Sequence, residues 1–264
     1  MHGGNDLMKI ILTIAGSDTG AGAGIQQDLK TITALGHYAV TVPTALTAQN
    51  TVGIRKVMPV PEDMLKAQLD AILDDFDVSA VKIGMIPDIQ SARIVVDAIR
   101  RLDVPVVFDP VMLSTSGTRL MSDECVDDVK KELFPLCTIV TPNIPEAIFL
   151  AGSNADCDLD ATGRLLASRF NTAFLLKGGH AEGTTMRDVL YCADGQRHEY
   201  CSPRIQTSNL HGTGCTLSSA IATLLAEGKP LHEAVEGAKR LIDCAIEKGS
   251  HLSIGKGNGP LWFY

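Results

Sequence analysis

The amino-acid sequence predicts an α/β fold in which a mostly parallel central sheet is covered by helices on both faces. Apolar, β-branched stretches such as KIILTIA and VPVVFD alternate with amphipathic stretches of helical period almost to the C-terminus. Right-handed crossovers bring such strands side by side in one sheet. The chain has 264 residues, 45% of them hydrophobic, which suffices for one large core. We therefore expect a single domain over residues 9–264, preceded by an N-terminal extension, residues 1–8.

Periodicity and turn residues define the individual elements. KIILTIA predicts the first strand, and a helix from Gly24 to Gly36 follows it. YAVTVPTAL and GIRKVMPV predict two shorter strands, and PEDMLKAQLDAILDDF predicts a helix with proline in its first turn. The later segments are predicted as strand (SAVKIG), helix (DIQSARIVVDAIRRL), strand (VPVVFD), helix (DECVDDVKKELF), strand (CTIVTPN), one or two helices up to Phe170, strand (TAFLLKGG), a hairpin turning at Asp194-Gly195, and two long helices, Gly214 to Glu227 and Leu231 to Lys248.

Composition and charge exclude several classes of partner. The formal net charge is -8, and acidic and basic residues are mixed along the chain. Nucleic-acid binding requires a concentrated cationic face, which this sequence lacks. No apolar stretch approaches the roughly 18 residues that a membrane span requires. The seven cysteines include no C-x-x-C pair and none lies near a histidine at zinc-ligand spacing, so we expect a reducing, cytoplasmic location.

Polar residues follow the apolar stretches at points where a ligand would bind. In open parallel sheets, ligands bind beyond the carboxyl ends of the strands. Six predicted strands are followed by Gly-Ser-Asp and a glycine series, by TAQN, by Met85, by Asp109-Pro110, by Thr141-Pro142-Asn143 with Glu146 one turn on, and by Lys177-Gly178-Gly179. One polar residue at a strand end means little, but six converging strand ends indicate a binding site.

The segment HGTGCTLSSA, from His211 to Ala220, predicts an anion site at a helix N-terminus. Apolar residues at helical spacing place the helix start at about Gly214. The free N–H groups of that first turn, with glycines that permit close approach, can bind phosphate. The alternative is a glycine-rich cap that serves packing only. Cys215 lies in the first turn, where the helix dipole favours a thiolate, although a free cysteine is more commonly a small buried hydrophobe.

Carboxylates and a lysine at the strand ends complete the candidate chemistry. Asp109 and Glu146 are the candidate Mg²⁺ ligands, because carboxylates at phosphate sites hold this ion directly or through water. Lys177, between apolar residues and glycines, is expected to point into the crevice. The alternatives are a solvated Glu146, a surface Lys177, and loop amides at Gln49 and Asn50. The series GSDTGAGAG has neither dinucleotide-binding nor P-loop spacing, so it is either part of the site or a tight turn.

Seven motifs together resemble a known family. TIAGSD…GAGIQQDLKT, TALTAQNT, KIGM, DPVM, TPNIPEA, LLKGGH and HGTGCTLSSA occur in the order and spacing of bacterial hydroxymethylpyrimidine/phosphomethylpyrimidine kinases, which belong to the ribokinase-like superfamily. The resemblance runs from about Lys9 to the C-terminus. It implies a ribokinase-like three-layer α/β/α fold and transfer of the γ-phosphoryl group of ATP to 4-amino-5-hydroxymethyl-2-methylpyrimidine, then to its monophosphate, in thiamine biosynthesis.

The resemblance also implies a role for each motif residue. Gln49 would pair with the edge of the pyrimidine. The remaining residues are implied as substrate pocket (Gly16, Asp28, Thr47, Met85, Val111), nucleotide site (Asn143, Glu146, Lys177, Thr207), Mg²⁺ site (Asp109, Glu146), anion hole (Gly212, Thr213, Gly214) and catalytic position (Cys215). A homodimer is expected on the same ground. The proton acceptor is a cysteine in this branch, where many ribokinase-like enzymes have aspartate.

The chain departs from the family pattern at two places, and three other functions are weighed against the one that the resemblance implies. Thr19-Gly20-Ala21 stands where the family has Pro-Ser-Gly, and Thr47 stands where valine is common. A pyridoxine/pyridoxal kinase of the same fold is the closest alternative, but such enzymes tend to lose the amide that this chain keeps at Gln49. A non-catalytic metabolite-binding regulator would lack Cys215, Asp109 or Lys177. A dehydrogenase is excluded by the glycine spacing.

Overall fold

A single mixed sheet forms the centre of the computed structural model, which describes residues 8–112, 120–152, 158–178 and 184–264. Its strand order is β3-β2-β1-β4-β5-β6-β7-β8-β9 within the described ranges. The strands are β1 (Ile10–Asp18), β2 (Tyr38–Asn50), β3 (Gly53–Pro59), β4 (Ala80–Ile83), β5 (Val106–Phe108), β6 (Ile139–Val140), β7 (Ala173–Lys177), β8 (Thr185–Tyr191) and β9 (Arg197–Pro203). The six strands from β2 to β7 in this order are parallel, and β3, β8 and β9 are antiparallel to their neighbours.

Helices cover both faces of the sheet, and this makes three layers. They are α1 (Gly24–Ala34), α2 (Glu62–Leu73), α3 (Ile89–Ile99), α4 (Asp123–Asp128), α5 (Ile144–Ala151), α6 (Leu159–Phe170), α7 (Thr213–Ala226) and α8 (Leu231–Gly249). Successive side chains of a strand point to opposite faces. Leu12 accordingly packs in the core beneath α2 to α6, whereas its neighbour Ile11 packs in the core beneath α1, α7 and α8. The α/β fold with a mostly parallel sheet is confirmed.

The structure departs from the predicted elements in two places. Strand β2 continues through Asn50, so TAQN lies inside a strand and not beyond its end. Parallel pairing with β1 ends at Thr47, and the antiparallel partner β3 continues the pairing of β2 to Asn50. The predicted helix DECVDDVKKELF is also broken. After α4, the chain forms a π-helical turn and then a 3₁₀ turn (Phe134–Leu136) that contains Pro135, which cannot donate a helical hydrogen bond.

Other sequence-based boundaries agree closely with the structure. The hairpin β8–β9 turns at Gly195, whose φ of 87° requires the left-handed region that glycine adopts readily. The final helices α7 and α8 begin and end within one residue of the predicted bounds. Residues 1–7 of the predicted extension lie outside the described residues. Within the described part of the chain, no helix is both long and apolar enough to span a bilayer.

Candidate functional site

A cavity of about 920 Å³ opens at the carboxyl ends of the parallel strands, as the strand-end pattern predicts. It runs from the β2 extension past the start of α7 to the segment that follows β9. Of the residues predicted for the site, the following line the cavity: Gly16, Thr47, Gln49, Met85, Asp109, Val111, Asn143, Glu146, Lys177, Thr207, Gly212, Thr213, Gly214 and Cys215. Asp28 does not line it.

The glycine series after β1 wraps around the carboxylate of Asp18. Asp18 Oδ1 accepts the Gly20 N–H at 2.8 Å, and Oδ2 accepts the N–H groups of Gly22 at 3.0 Å and Ala23 at 2.9 Å. His211 Nε2 lies 2.9 Å from the same Oδ2. Burial acts to raise the pKa of Asp18, but the bonds from His211 and the backbone N–H groups hold it below its usual value. The series is therefore a βα turn built around a buried anion.

Close backbone approach joins this loop to the start of α7. Gly212, the N-cap of α7, has a φ of 90°, and a Cβ there would lie 2.0 Å from the carbonyl oxygen of Gly22. A Cβ on Gly22 would lie 2.3 Å from the ring of His211. Neither position has room for a side chain, so both glycines are required by contact and Gly212 also by backbone conformation.

The first turn of α7 borders the cavity at the strand ends, where the sequence predicts an anion site. The N–H groups of a first helical turn have no intrahelical acceptor. The Thr213 N–H donates to the Leu210 carbonyl at 3.3 Å. The N–H groups of Gly214 and Cys215 are therefore the better candidates to bind phosphate. A Cβ at Gly214 would lie 3.0 Å from Asp109 Oδ2 and 3.5 Å from Lys177 Nζ. The glycine thus keeps open the space between the helix start and these charges.

Asp109 and Lys177 form a buried ion pair beside this space. Lys177 Nζ lies 2.7 Å from Asp109 Oδ1, which also accepts the Thr141 hydroxyl at 3.2 Å. Burial acts to lower the pKa of Lys177, but the carboxylates of Asp109 and Glu146 raise it above its usual value. Lys177 therefore remains charged inside the crevice, and the alternative of an ordinary surface lysine is wrong.

Glu146 caps α5 and faces the same region. Its Oε2 accepts the Asn143 N–H at 2.8 Å while Asn143 Oδ1 accepts the Glu146 N–H at 2.8 Å, a capping box. Oε1 accepts the Met112 N–H at 3.3 Å. Only 7% of Glu146 is exposed, so the alternative of a solvated residue is wrong. Burial, with the nearby Asp109 carboxylate, raises the pKa of Glu146, although Lys177 opposes the shift.

The described residues contain no ready-made cage of three or more metal-ligating side chains. The carboxylate of Asp109 nevertheless lies beside the space that Gly214 leaves open, and Glu146 lines the same cavity. Mg²⁺ at phosphate sites commonly takes one or two carboxylates and completes its shell with phosphate oxygens and water. The donor set therefore fits a Mg²⁺–nucleotide complex and does not fit a metal held by protein alone.

Cys215 lies in the first turn of α7, but its surroundings favour the thiol over the thiolate. Burial raises the pKa of Cys215 to about 11; the ammonium of Lys82 opposes the shift, and the carboxylates of Asp28 and Asp109 reinforce it. This shift runs opposite to the lowering that the first turn of a helix predicts. The helix N-terminus is present as predicted, but the partly buried thiol also lies near two carboxylates from distant segments.

Asp28 lies behind the cavity wall and not in the substrate pocket that the family resemblance implies. It is fully buried, and its oxygens accept bonds from the side chains of Thr13 at 2.5 Å, Lys82 at 2.8 Å and Ser219 at 2.7 Å. These three bonds and its complete burial leave Asp28 without a surface that faces the cavity. Lys82 has no exposed side-chain surface either, yet it borders the cavity floor beside Cys215.

The end of the cavity near β2 contains the predicted substrate residues. Gln49 lies in the β2 extension, where its amide is 3.3 Å from both the Thr47 hydroxyl and His211 Nε2. Gly16 and Met85 form the opposite wall, and a Cβ on Gly16 would lie 3.0 Å from the Met85 sulfur. A pocket end that combines apolar walls with a side-chain amide can hold a small heteroaromatic ring.

Asp18, Lys82 and His211 also line the cavity, and the sequence analysis did not single them out as site residues. Each had a signal. Lys82 interrupts the apolar strand AVKI, where a buried charge requires a partner. His211 opens the HGTGC segment, and Asp18 ends the first strand. Their partners lie as many as 193 positions away in the sequence, so the contacts could not be read from spacing.

The other end of the cavity is partly apolar and adjoins the segment after β9. Thr207 lies there; its hydroxyl accepts the Asn209 N–H at 3.1 Å. Leu217, Ile242 and Ile246 form apolar walls, and the cavity reaches Asn143 and Lys177 from this side. An apolar slot that leads to the anion site suits a nucleotide whose base lies between side chains.

Comparisons with known proteins identify the family of this chain. The model of the phosphomethylpyrimidine kinase family matches residues 18–262. A hydroxymethylpyrimidine/phosphomethylpyrimidine kinase of Rhizobium meliloti is 45% identical over 258 residues and covers 97% of each chain. This chain belongs to the phosphomethylpyrimidine kinase family.

Solved structures extend the comparison to the fold. A phosphomethylpyrimidine kinase from Clostridium difficile is 38% identical with a TM-score of 0.77, over 90% of this chain and 99% of the other. An ADP complex of Bacillus subtilis pyridoxal kinase is 32% identical with a TM-score of 0.86, over 97% of each chain. This phosphomethylpyrimidine kinase family member therefore has the ribokinase-like α/β fold, which pyridoxal kinases share.

Proposed function

We propose that this chain is an ATP-dependent kinase that phosphorylates 4-amino-5-hydroxymethyl-2-methylpyrimidine and its monophosphate in thiamine biosynthesis. One observation supports the proposal most strongly. The amide of Gln49 borders the same cavity as the glycine-built start of α7 and the Asp109–Lys177 ion pair. A ring-binding end and a phosphate-binding end are therefore continuous, as transfer between two bound molecules requires.

In the proposed reaction, the hydroxymethyl oxygen attacks the γ-phosphorus while the bond to the β-phosphate oxygen breaks and ADP leaves. The Gly214 and Cys215 N–H groups and Lys177 stabilise charge on the transferred phosphoryl group. Cys215 first loses its thiol proton to solvent, and the resulting thiolate then accepts the hydroxyl proton. Because the transition state of phosphoryl transfer is loose, positioning and charge stabilisation contribute more than base strength.

Mg²⁺ would be held by Asp109 and Glu146, directly or through water, and would neutralise charge on the nucleotide phosphates. Asn143, Lys177 and Thr207 would contact the nucleotide. We also retain as proposals a cytoplasmic location, a homodimer, and the interpretation of residues 9–264 as one domain, which the continuous sheet supports.

Pyridoxal kinase is the second candidate function, because the Bacillus subtilis enzyme shares the fold over 97% of each chain. Two observations favour the pyrimidine. Identity is higher to the pyrimidine kinases, at 38% and 45%, than to that pyridoxal kinase, at 32%. A Gln49 amide offers a donor beside an acceptor, which matches an amino group next to a ring nitrogen.

An ATP-consumption assay with purified enzyme tests the proposal. We expect turnover of the hydroxymethylpyrimidine and its monophosphate, with kcat/KM for pyridoxal at least tenfold lower, because a site built for hydrogen bonds rejects a ligand that leaves them unmade. Turnover of pyridoxal alone would assign the chain to the second candidate function. No turnover of any of the three would contradict both.

A further inference from the structure

The side-chain amide of Gln49 has two polar neighbours, and together they determine which way round it lies. Its Nε2 position is 3.3 Å from His211 Nε2, and its Oε1 position is 3.3 Å from the Thr47 hydroxyl oxygen. Heavy-atom positions do not distinguish the oxygen of an amide from its nitrogen, so the neighbours' protons must decide. Both neighbours have further partners that fix where those protons are.

Asp18 fixes the proton of His211. The Asp18 carboxylate lies 2.9 Å from His211 Nε2, and a carboxylate whose pKa is below its usual value can only accept a hydrogen bond. His211 Nε2 must therefore carry the proton, whether the imidazole is neutral or charged. A protonated ring nitrogen has no lone pair and cannot accept a bond from the NH₂ group of Gln49. The one Nε2 proton is shared between Asp18 Oδ2 at 2.9 Å and the Gln49 amide at 3.3 Å, so His211 must face the Gln49 oxygen.

Thr47 leads independently to the same orientation. Its hydroxyl lies 2.9 Å from the carbonyl oxygen of Ser17, which can only accept, so the hydroxyl proton points there. The Thr47 oxygen is left as an acceptor toward Gln49, and only the NH₂ group of the amide can donate to it. Both contacts thus place Gln49 Oε1 toward His211 and Nε2 toward Thr47.

The ring of His211 is held in place from several sides. A Cβ on Gly22 would lie 2.3 Å from its Cδ2, so the glycine loop packs directly against the ring. The His211 backbone N–H donates to the Gly259 carbonyl at 3.1 Å, and His211 forms a parallel bridge with Pro260. The loop after β1 and the C-terminal segment therefore both restrain this residue, as a positioning role requires.

We propose that His211, held by Asp18, is the positioning residue that fixes the orientation of the Gln49 amide and thereby sets how an aminopyrimidine binds. The inference rests on the proposed function for its ligand. After the contacts to His211 and Thr47, the amide keeps one N–H and one oxygen lone pair. The ring nitrogen of the ligand lies on the Thr47 side, and its amino group lies on the His211 side.

Two substitutions at His211 distinguish the effect of its Nε2 proton from the effect of its side-chain shape. His211→Leu removes the donor. His211→Gln offers an amide nitrogen close to the former Nε2, and Asp18 selects its donating orientation. We expect His211→Leu to lower kcat/KM for the hydroxymethylpyrimidine about tenfold or more, chiefly through KM, with His211→Gln within about threefold of the parent. Equal losses in both variants at unchanged Tm would overturn the proposal.

A measurement on the ligand-free parent protein tests the proton directly, even where a variant fails to fold. Long-range ¹H–¹⁵N spectra of histidine-labelled protein distinguish a protonated from an unprotonated Nε2. The His211 signal is identified among the seven histidines by its absence from His211→Gln. We expect a protonated Nε2; an unprotonated Nε2 would overturn the inference. Because this result needs no turnover, it is independent of whether the proposed activity is found.

Discussion

Cys215 illustrates what one residue's position in the sequence predicts and what it leaves out. Its place in the first turn of a helix could be read from the apolar spacing that follows it, and α7 begins at Thr213. The protonation state of its thiol could not be predicted from the sequence. Asp28, Lys82 and Asp109 come from three other segments, and burial depends on the whole fold. A pKa of about 11 makes base catalysis depend on pH.

Cys215→Ala should lower kcat about 100-fold or more, the usual scale for loss of a general base. Cys215→Ser is the matched control for shape, and it should lose activity similarly because its hydroxyl is a far weaker acid. The thiolate fraction grows as pH rises toward the thiol pKa, so kcat/KM of the parent should rise between pH 7 and 9. Cys215→Ala should lose this rise. An unchanged kcat at saturating substrate would leave Cys215 with a packing role only.

Asp109→Asn and Glu146→Gln test the metal assignment. Each should raise the Mg²⁺ concentration needed for half-maximal rate, by about tenfold or more, because an amide oxygen carries no charge for the ion. Glu146→Gln keeps an oxygen that can accept the Asn143 N–H, so the α5 cap is retained. Titrations that overlay the parent curve in both variants would show that the metal does not depend on these carboxylates.

At the scale of elements, the strand-end pattern predicted the position of the cavity but not every connection that surrounds it. The segment TAQN reads as a loop because alternation ends at Leu46, yet pairing with β3 extends β2 to Asn50. Gln49 therefore sits on a strand, which holds its amide more rigidly than a loop would. The glycine series could equally be a turn on sequence grounds, because its anion Asp18 and donor His211 are far apart in the chain.

Two glycines at opposite ends of α7 provide a matched pair for the loop contact. Gly212 and Gly228 have φ values of 90° and 86°, but a Cβ on Gly212 would meet Gly22 whereas one on Gly228 would meet nothing within 4 Å. Gly228→Ala should cost about 1–2 kcal/mol of unfolding free energy for its backbone conformation alone. Gly212→Ala should lower the free energy of unfolding by more, because its Cβ would also collide with the Gly22 carbonyl. It should raise the KM for ATP as well, because it displaces the start of α7. Equal costs, measured by denaturant unfolding, would mean that the loop does not constrain the helix start.

At the scale of the whole molecule, the buried Asp28–Lys82 pair links four elements behind the site. Asp28 on α1 binds Thr13 on β1, Lys82 on β4 and Ser219 on α7. Burial acts to lower the pKa of Lys82, but Asp28 raises it above its usual value. The pair's contribution is therefore present at neutral pH and is lost only as pH rises through that elevated value. Alternation of strands and helices predicted the layers, but it could not reveal this link.

Lys82→Met should lower the free energy of unfolding by about 3–5 kcal/mol, because it leaves the Asp28 carboxylate buried without its countercharge. Adding Asp28→Asn, which removes the charge but keeps a hydrogen-bonding side chain, should restore at least half of the loss. Urea unfolding of the parent, the single and the double variant at pH 7 measures both effects. A double variant no more stable than Lys82→Met would contradict the account of this pair.

The assignment of an aminopyrimidine substrate is tested most directly by kcat/KM of the parent and of Gln49→Met on the hydroxymethylpyrimidine and on pyridoxal. The substitution removes both hydrogen bonds of the amide, so it should cost the pyrimidine about 2–4 kcal/mol, roughly 30- to 1,000-fold. Turnover of pyridoxal, which lacks an amino group beside its ring nitrogen, should hold steady or rise. An equal loss on both substrates would contradict recognition of the pyrimidine by Gln49.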